Sequence, residues 1–111
     1  MAIQIQLGVI SAGAQRQARI NCTRDLLPGE SLTGTPTVVE RTTTDLTITS
    51  KLVNVAQEDD VEGETVAIGK CLLFFLVGAN AGTNYVIDIG CGTTSSPDAE
   101  TLVYEGFLEC V

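Results

Sequence analysis

Short apolar segments rich in Val, Ile, Leu and Thr recur along the chain and are separated by Gly, Pro, Asp and Ser. Segments of this kind are typical of β-strands joined by turns. The pattern predicts strands near residues 2–10, 17–23, 31–40, 45–55, 64–68, 70–78, 84–91 and 100–111. No helical window repeats with a period of 3.6 residues, so we expect little helix. Seven or eight strands favour an all-β, immunoglobulin-like sandwich, although strand spacing alone leaves a barrel open.

The alternation of side chains within the strands predicts which residues face the core. In the segment 84–91, Asp88 marks the solvent face, so the inward residues are Tyr85, Ile87, Ile89 and Cys91. In the segment 70–78, Lys70 marks the outer face, so the inward residues are Cys71, Leu73, Phe75 and Val77. The other face of this strand is then an apolar row of Leu72, Phe74 and Leu76. Either another part of the chain covers this row, or a neighbouring subunit buries it as an interface.

The first ten residues alternate as a strand does, with Ile3, Ile5 and Leu7 against glutamines, and a short Ser-Ala-Gly-Ala segment follows. We therefore divide the chain into an N-terminal extended arm or edge strand, 1–15, and a sandwich, 16–111. A tethered edge strand can pair with its own sheet or add to a neighbour's. The length of 111 residues is that of one domain.

The stretch Ala81-Gly82-Thr83-Asn84-Tyr85 resembles the corner of fibronectin type III and related immunoglobulin-like domains. In those domains a tyrosine at the start of the sixth strand hydrogen-bonds the backbone of the preceding corner. The resemblance assigns this role to Tyr85. The alternative is that Tyr85 is an inward aromatic side chain at the start of a strand.

A wider resemblance covers residues 20–111. Its parts are the opening Asp25-Leu26-Leu27-Pro28-Gly29-Glu30-Ser31-Leu32, the strand from Leu46 to Val55, the centre Phe75-Leu76-Val77-Gly78 followed by Ala81-Gly82-Thr83-x-Tyr85, and a last strand ending at Val111. This pattern is similar to small virion proteins of tailed bacteriophages that are called fiber-tail adaptors. The resemblance implies an immunoglobulin-like fold and a non-enzymatic structural role, joining fibers to the tail.

Further expectations follow from that resemblance. The protein would be made in the bacterial host cytoplasm, would reside in the virion, and would contact tail and fiber proteins as a homo-oligomer. Capsid decoration is the nearest alternative, with the major capsid protein as partner, because small acidic all-β domains also cover capsid lattices. An alternative of a different class is a ligand-binding or adhesive β-sandwich, although few aromatic side chains are present for stacking on a ligand.

Charge and hydropathy narrow the classes of partner. The net charge is −8, and the six basic residues are scattered along the chain. Nucleic-acid binding requires clustered positive charge, so we expect no nucleic-acid partner. The longest apolar run, residues 71–77, is too short to span a membrane, and the N-terminus lacks the pattern of a secretion signal, so we expect a soluble protein without a membrane partner.

The sequence offers few residues that could act in catalysis or bind a metal ion. The chain has no His, which removes the commonest general base and zinc ligand, and its four cysteines are not in the closely spaced pairs of zinc sites. We therefore expect no enzyme and no cofactor. The one candidate metal site is a Ca²⁺ site in the loop that contains Glu58, Asp59, Asp60, Glu62 and Glu64, because Ca²⁺ prefers carboxylate oxygens. The alternative is a solvated acidic loop.

The cysteines permit three pairings. Antiparallel strands around the corner near residue 80 predict that Cys71 and Cys91 meet at one end of the domain. If the first strand runs parallel to the last, Cys22 and Cys110 meet at the other end. In a reducing cytoplasm these residues stay free thiols, whereas a released virion meets oxidising conditions that permit disulfides.

Overall fold

The computed structural model describes residues 2–60, 62–94 and 101–111. Nine strands lie within these ranges: β1 (Ile3–Ile10), β2 (Arg16–Asn21), β3 (Leu32–Glu40), β4 (Thr47–Val53), β5 (Glu58–Asp59), β6 (Thr65–Val66), β7 (Cys71–Val77), β8 (Asn84–Thr93) and β9 (Thr101–Cys110). The helical content of the described residues is one short 3₁₀ turn, Thr23–Asp25. Every predicted segment contains a strand. The sequence missed only β5, which has two acidic residues and no apolar pattern.

The strands form two packed sheets and a small hairpin. The first sheet has the order β1-β9-β8-β3, the second has the order β2-β7-β4, and β5 pairs with β6. All pairings are antiparallel except that of β1 with β9, which is parallel. This is the strand order of an immunoglobulin-like sandwich: the second sheet corresponds to its B, E and D strands, and β3, β8 and β9 correspond to C, F and G.

The N-terminal segment is part of this sandwich. β1 is an edge strand of the first sheet, with Ile10 beside Cys110 of β9. The linker after β1 is also hydrogen-bonded to the sandwich. Ala12 N–H donates to the Val111 carbonyl, and Gly13 N–H donates to the Ala79 carbonyl. Of the two predicted arrangements, the structure has the edge strand that pairs with its own sheet.

The core lies between the two sheets, and β8 faces it as predicted. The residues of β8 that point inward are Tyr85, Ile87, Ile89 and Cys91, none more than 2% exposed. Tyr104 and Leu108 of β9 meet them in the same cluster. None of the helices in the described ranges is long and apolar enough to cross a membrane.

The prediction for β7 is wrong, since its two faces are exchanged. Leu72, Phe74 and Leu76 are 0%, 0% and 1% exposed, and they pack in the main core between the sheets. They are therefore not an interface with another subunit. Cys71 and Leu73 lie on the opposite face of β7, where they pack with Val66 of the β5–β6 hairpin.

The reason for this error is the position of Lys70. This residue precedes β7 and lies in the bend after Gly69, where its ammonium group donates to the Glu30 carbonyl. Because the backbone of Lys70 is not part of β7, the polar side chain of Lys70 does not indicate which face of β7 is exposed to solvent.

Candidate functional site

A concave feature of the surface lies where the two sheets end side by side. β1 is an edge of the first sheet and β2 is an edge of the second. Within the described ranges, no strand closes the sandwich between them. A groove of about 670 Å³ runs along this open edge. The apolar part of its wall is formed by Ile3, Ile5, Leu7, Ala18 and Ile20.

Alternation along the two strands explains this apolar wall. In β2, Ala18 and Ile20 point toward the core and are 6% and 5% exposed. In β1, Ile5 and Leu7 are half-buried and pack against the same core, while Ile3 is 36% exposed. A closing strand would normally cover such side chains in a sandwich. The groove therefore exposes the β1 side of this edge, at Ile3, Ile5 and Leu7, whereas Ala18 and Ile20 on the β2 side are already buried.

The charged rim of the groove is asymmetric. At one end, the Arg16 guanidinium donates to the Val9 carbonyl of β1. At the other end, the tip of the β5–β6 hairpin contributes Asp60, Glu62 and Glu64. Arg19, Arg24 and Asp25 also line the groove, and Arg19 donates to the Asp59 carbonyl at 3.0 Å.

The acidic loop is organised by its own backbone. Asp60 Oδ1 accepts hydrogen bonds from the backbone N–H groups of Glu62 and Glu64, both at 2.9 Å, and Oδ2 accepts one from the Asn21 amide at 3.2 Å. The Glu64 backbone hydrogen bond is the largest contribution that holds the pKa of Asp60 below its usual range.

This arrangement does not bring the five candidate Ca²⁺ ligands together. Glu58 and Asp59 are successive residues of β5, so their side chains point to opposite faces. Among the residues the structure describes, no group of three or more Asp, Glu, Cys or His side chains is placed to hold a metal ion. The loop instead supplies an acidic border to the groove.

The corner before β8 has the geometry expected from the tyrosine motif. The Asn80 backbone N–H donates to the Tyr85 hydroxyl at 2.9 Å, and that hydroxyl donates to Asp45 Oδ2 at 2.9 Å. The hydroxyl thus links the β7–β8 corner to the loop before β4. Hydrogen bonds from the Asn80 side chain and from Tyr85 lower the pKa of Asp45.

We expect Tyr85→Phe to lower the free energy of unfolding by about 1 kcal/mol at neutral pH, because it removes the hydroxyl and keeps the buried ring. The lowered pKa of Asp45 contributes stability above the pKa of the unfolded chain, and this contribution is lost as pH falls through the folded pKa. The difference between variant and wild type should therefore shrink below about pH 4. Urea denaturation at neutral and acidic pH measures it, and equal stability at neutral pH would contradict the corner bond.

The predicted cysteine pairs are wrong. Cys22 N–H donates to the carbonyl of Lys70, just before β7, whereas Cys110 N–H donates to the Thr83 carbonyl, in the corner beyond the other end of β7. Cys22 and Cys110 therefore lie at opposite ends of the domain. The strand parallel to β9 is β1, not the strand that leads into Cys22, and this is the source of the error.

The second pair is separated by the second sheet. Cys71 packs on its outer face under the β5–β6 hairpin, and Cys91 packs in the core between the sheets. The four thiols are free and buried. Burial raises the pKa of Cys22 to about 12 and that of Cys71 to about 11.

We expect all four thiols of the native protein to resist alkylation at pH 8. The thiolate is the reactive form, and at pH 8 its fraction is on the order of one in ten thousand for Cys22 and one in a thousand for Cys71. Mass spectrometry after iodoacetamide should show no adduct in the native protein and four adducts after denaturation without reductant. A Ser11→Cys variant, with an exposed thiol, is the control and should gain one adduct when native. Fewer than four adducts on the denatured wild type would reveal a disulfide.

The side-chain networks of Tyr104 and of Arg41 were not predicted. The Tyr104 hydroxyl donates to Asp25 Oδ2 at 2.7 Å, which ties β9 to the 3₁₀ turn beside the groove. On the outer face of the first sheet, Arg41 forms ion pairs with Asp88 and Glu105. Both networks join residues far apart in the sequence, so no local pattern in the chain signals them.

Comparisons with known proteins identify two similar solved structures and no matching family. No family model and no curated protein match the chain. Two solved structures are similar: the VesB protease of Vibrio cholerae, with 15% identity and a TM-score of 0.45, and Amebosin, with 11% identity and a TM-score of 0.45. The similarity to VesB protease covers 97% of this chain and 30% of the VesB chain. The similarity to Amebosin covers 100% of this chain and 99% of the other.

Proposed function

We propose that this protein is a non-enzymatic structural component of a tailed-bacteriophage virion, where it acts as an adaptor that joins fibers to the tail. The observation that carries the proposal is the open edge between β1 and β2, a groove of about 670 Å³ with an apolar wall that a protein segment can cover. The motifs from Asp25 to Leu32 and from Phe75 to Tyr85, which resemble those of fiber-tail adaptors, lend further support.

As such an adaptor, the protein acts in several copies around the tail and contacts tail and fiber proteins. The immunoglobulin-like sandwich is the rigid body of the module, and its loops and open edge are the surfaces left for partners. The host cytoplasm is its site of synthesis and the virion its final location.

Binding of a carbohydrate is less well supported by the groove. Sugar sites usually present aromatic rings to the ligand. Both tyrosines are buried, with Tyr85 0% and Tyr104 1% exposed, and the chain has no Trp. Among the described residues, the apolar side chains that line the groove are all aliphatic. The aliphatic wall of the groove is better suited to binding a protein segment than to binding a carbohydrate.

Quantitative mass spectrometry of purified virions, with heads and tails separated, tests the proposal. We expect the protein in the tail fraction, on the order of ten copies per particle, as the rotational symmetry of a tail requires. Hundreds of copies in the head fraction would contradict an adaptor role and indicate capsid decoration. Absence from the virion would contradict both.

A variant pair tests the groove in the same particles. Ile3→Asp places a charge on the exposed groove wall and should prevent incorporation. Val39→Asp places the same charge at a residue that is 61% exposed on β3, away from the groove, and should be incorporated normally. Normal incorporation of both variants would show that the groove does not hold the adaptor in place.

A further inference from the structure

We propose that the groove is a docking site for an extended segment of a partner protein, which adds to the free edge of β2 as an antiparallel strand and carries basic residues at its amino-terminal end. This inference rests on the proposed function for the identity of the partner as a virion protein. The chemistry of the segment follows from the groove itself.

The free edge of β2 presents a regular row of backbone groups. Cys22 N–H donates to the Lys70 carbonyl on the β7 side. In an antiparallel pair, successive residues direct their N–H and C=O groups to opposite sides. The backbone groups of Ile20, Ala18 and Arg16 therefore face β7, and those of Gln17, Arg19 and Asn21 face the groove.

The other three edges of the two main sheets, within the described ranges, are interrupted. The pairing of β1 shifts between Gln6 and Gly8, that of β3 shifts between Thr33 and Thr37, and that of β4 shifts between Thr49 and Leu52. Bulges of this kind block the addition of another strand. By contrast, β2 pairs with β7 without any shift from Arg16 to Asn21.

Further features strengthen the contrast among the four edges. β3 contains Pro36, which has no N–H to offer a strand. In β4, Ser50 has a positive φ of 54°, which breaks the extended edge. On β1, the Arg16 guanidinium already occupies the Val9 carbonyl. β2 is thus the edge best suited to receive a strand.

The groove fits one strand in size and polarity. β2 extends about 20 Å, the length of a six-residue partner strand. Every second side chain of the added strand would point inward, onto Ile3, Ile5 and Ile20, so the segment should alternate apolar and polar residues. Both pairings within the β2-β7-β4 sheet are antiparallel, which favours the antiparallel orientation for a strand added beside β2.

Charge sets the character of the segment's first residues. An antiparallel partner begins beside Asn21, whose side chain donates to Asp60. At that end the carboxylates of Asp25, Asp60, Glu62 and Glu64 outnumber the guanidinium groups of Arg19 and Arg24. Basic residues at the amino-terminal end of the partner complement this surplus. A second copy of this chain is less suited, because each copy carries a net charge of −8.

Two blocked peptides test the proposal on the whole protein: Lys-Lys-Thr-Val-Thr-Val-Thr-Val and the same sequence with Glu-Glu in place of Lys-Lys. We expect the first to bind more tightly by at least threefold in a calorimetric titration at low salt. In hydrogen-exchange NMR, the amides of Gln17, Arg19 and Asn21 should exchange rapidly in the free protein and slow on binding. The Ala18 and Ile20 amides, already bonded to β7, should be protected in both states.

A variant of the acidic tip separates the charge argument from strand addition. Glu62→Gln with Glu64→Gln should weaken binding of the basic peptide roughly three- to tenfold. Glu109→Gln removes an exposed carboxylate from β9, outside the groove, and should leave binding unchanged.

Three results would overturn the inference. One result is equal affinity for both peptides, or no binding of either peptide. Another is slower amide exchange on peptide binding at a different sheet edge. The third is self-association of the free protein through β2, which would make a second copy the occupant. Each of these results tests only the docking of a partner segment in the groove. The adaptor function is tested separately, by the location of the protein in the tail fraction. Tail location without peptide binding would therefore overturn this inference and leave the adaptor function standing.

Discussion

Replacing Phe74 with Ala is expected to lower the free energy of unfolding by about 3–5 kcal/mol. Phe74 is 0% exposed and lies on β7, the central strand of the second sheet, with its ring in the core between the sheets. Truncation leaves a cavity that neighbouring strands cannot close without breaking their pairing with β7. Equilibrium denaturation in urea, followed by circular dichroism, measures the change.

The matched control for this variant is Val39→Ala. Val39 is also apolar and in a strand, but it is 61% exposed, so its truncation should change stability by less than about 0.5 kcal/mol. If Phe74→Ala kept wild-type stability and lost only assembly, the row of Leu72, Phe74 and Leu76 would be an interface between subunits. The assignment of these side chains to the core would then be wrong.

The faces of β7 show which information the sequence lacks. Six apolar residues in a row, Leu72 to Val77, carry no alternation that distinguishes one face from the other. The sequence predicts the strand correctly, but its facing depends on the β5–β6 hairpin, which covers Cys71 and Leu73. That hairpin is formed by two-residue strands in an acidic region, so nothing local predicts it as a cover.

Where the signal is local, the prediction is accurate. The alternation in β8 gives the correct inward residues, and the motif ending at Tyr85 gives a corner whose hydroxyl lies 2.9 Å from the Asn80 amide nitrogen. The second partner of that hydroxyl, Asp45, is forty positions away. It could not be predicted, because the pairing depends on how β4 packs against β7.

The groove illustrates the same limit. Ile3, Ile5 and Leu7 are recognisable as one face of a strand in the sequence, and the edge position of β1 was one of two predicted arrangements. Their neighbours in space, Ala18 and Ile20, belong to the other sheet. Only the parallel pairing of β1 with β9 brings these residues to a common edge.

Gly78→Ala is expected to lower the free energy of unfolding by about 2–4 kcal/mol, from two causes that add. Gly78 has a φ of +96°, where an L-residue costs about 1–2 kcal/mol. A Cβ at this position would also lie 2.7 Å from the Asp45 carbonyl oxygen, so the backbone before β4 must shift. Urea denaturation of the variant measures the total.

Gly82→Ala separates these two causes. Gly82 has a similar φ of +80°, but a Cβ there meets nothing within 4 Å, so only the conformational cost of about 1–2 kcal/mol remains. The excess loss at Gly78 then reports the displacement of Asp45. Because Asp45 accepts the Tyr85 hydroxyl, that displacement should weaken the corner bond. The double variant Gly78→Ala with Tyr85→Phe should therefore lose less stability than the sum of the single variants. Strict additivity in the double variant would show that the Asp45 backbone moves without affecting the corner bond. Equal losses of stability in Gly78→Ala and Gly82→Ala would show that the Asp45 backbone need not move at all.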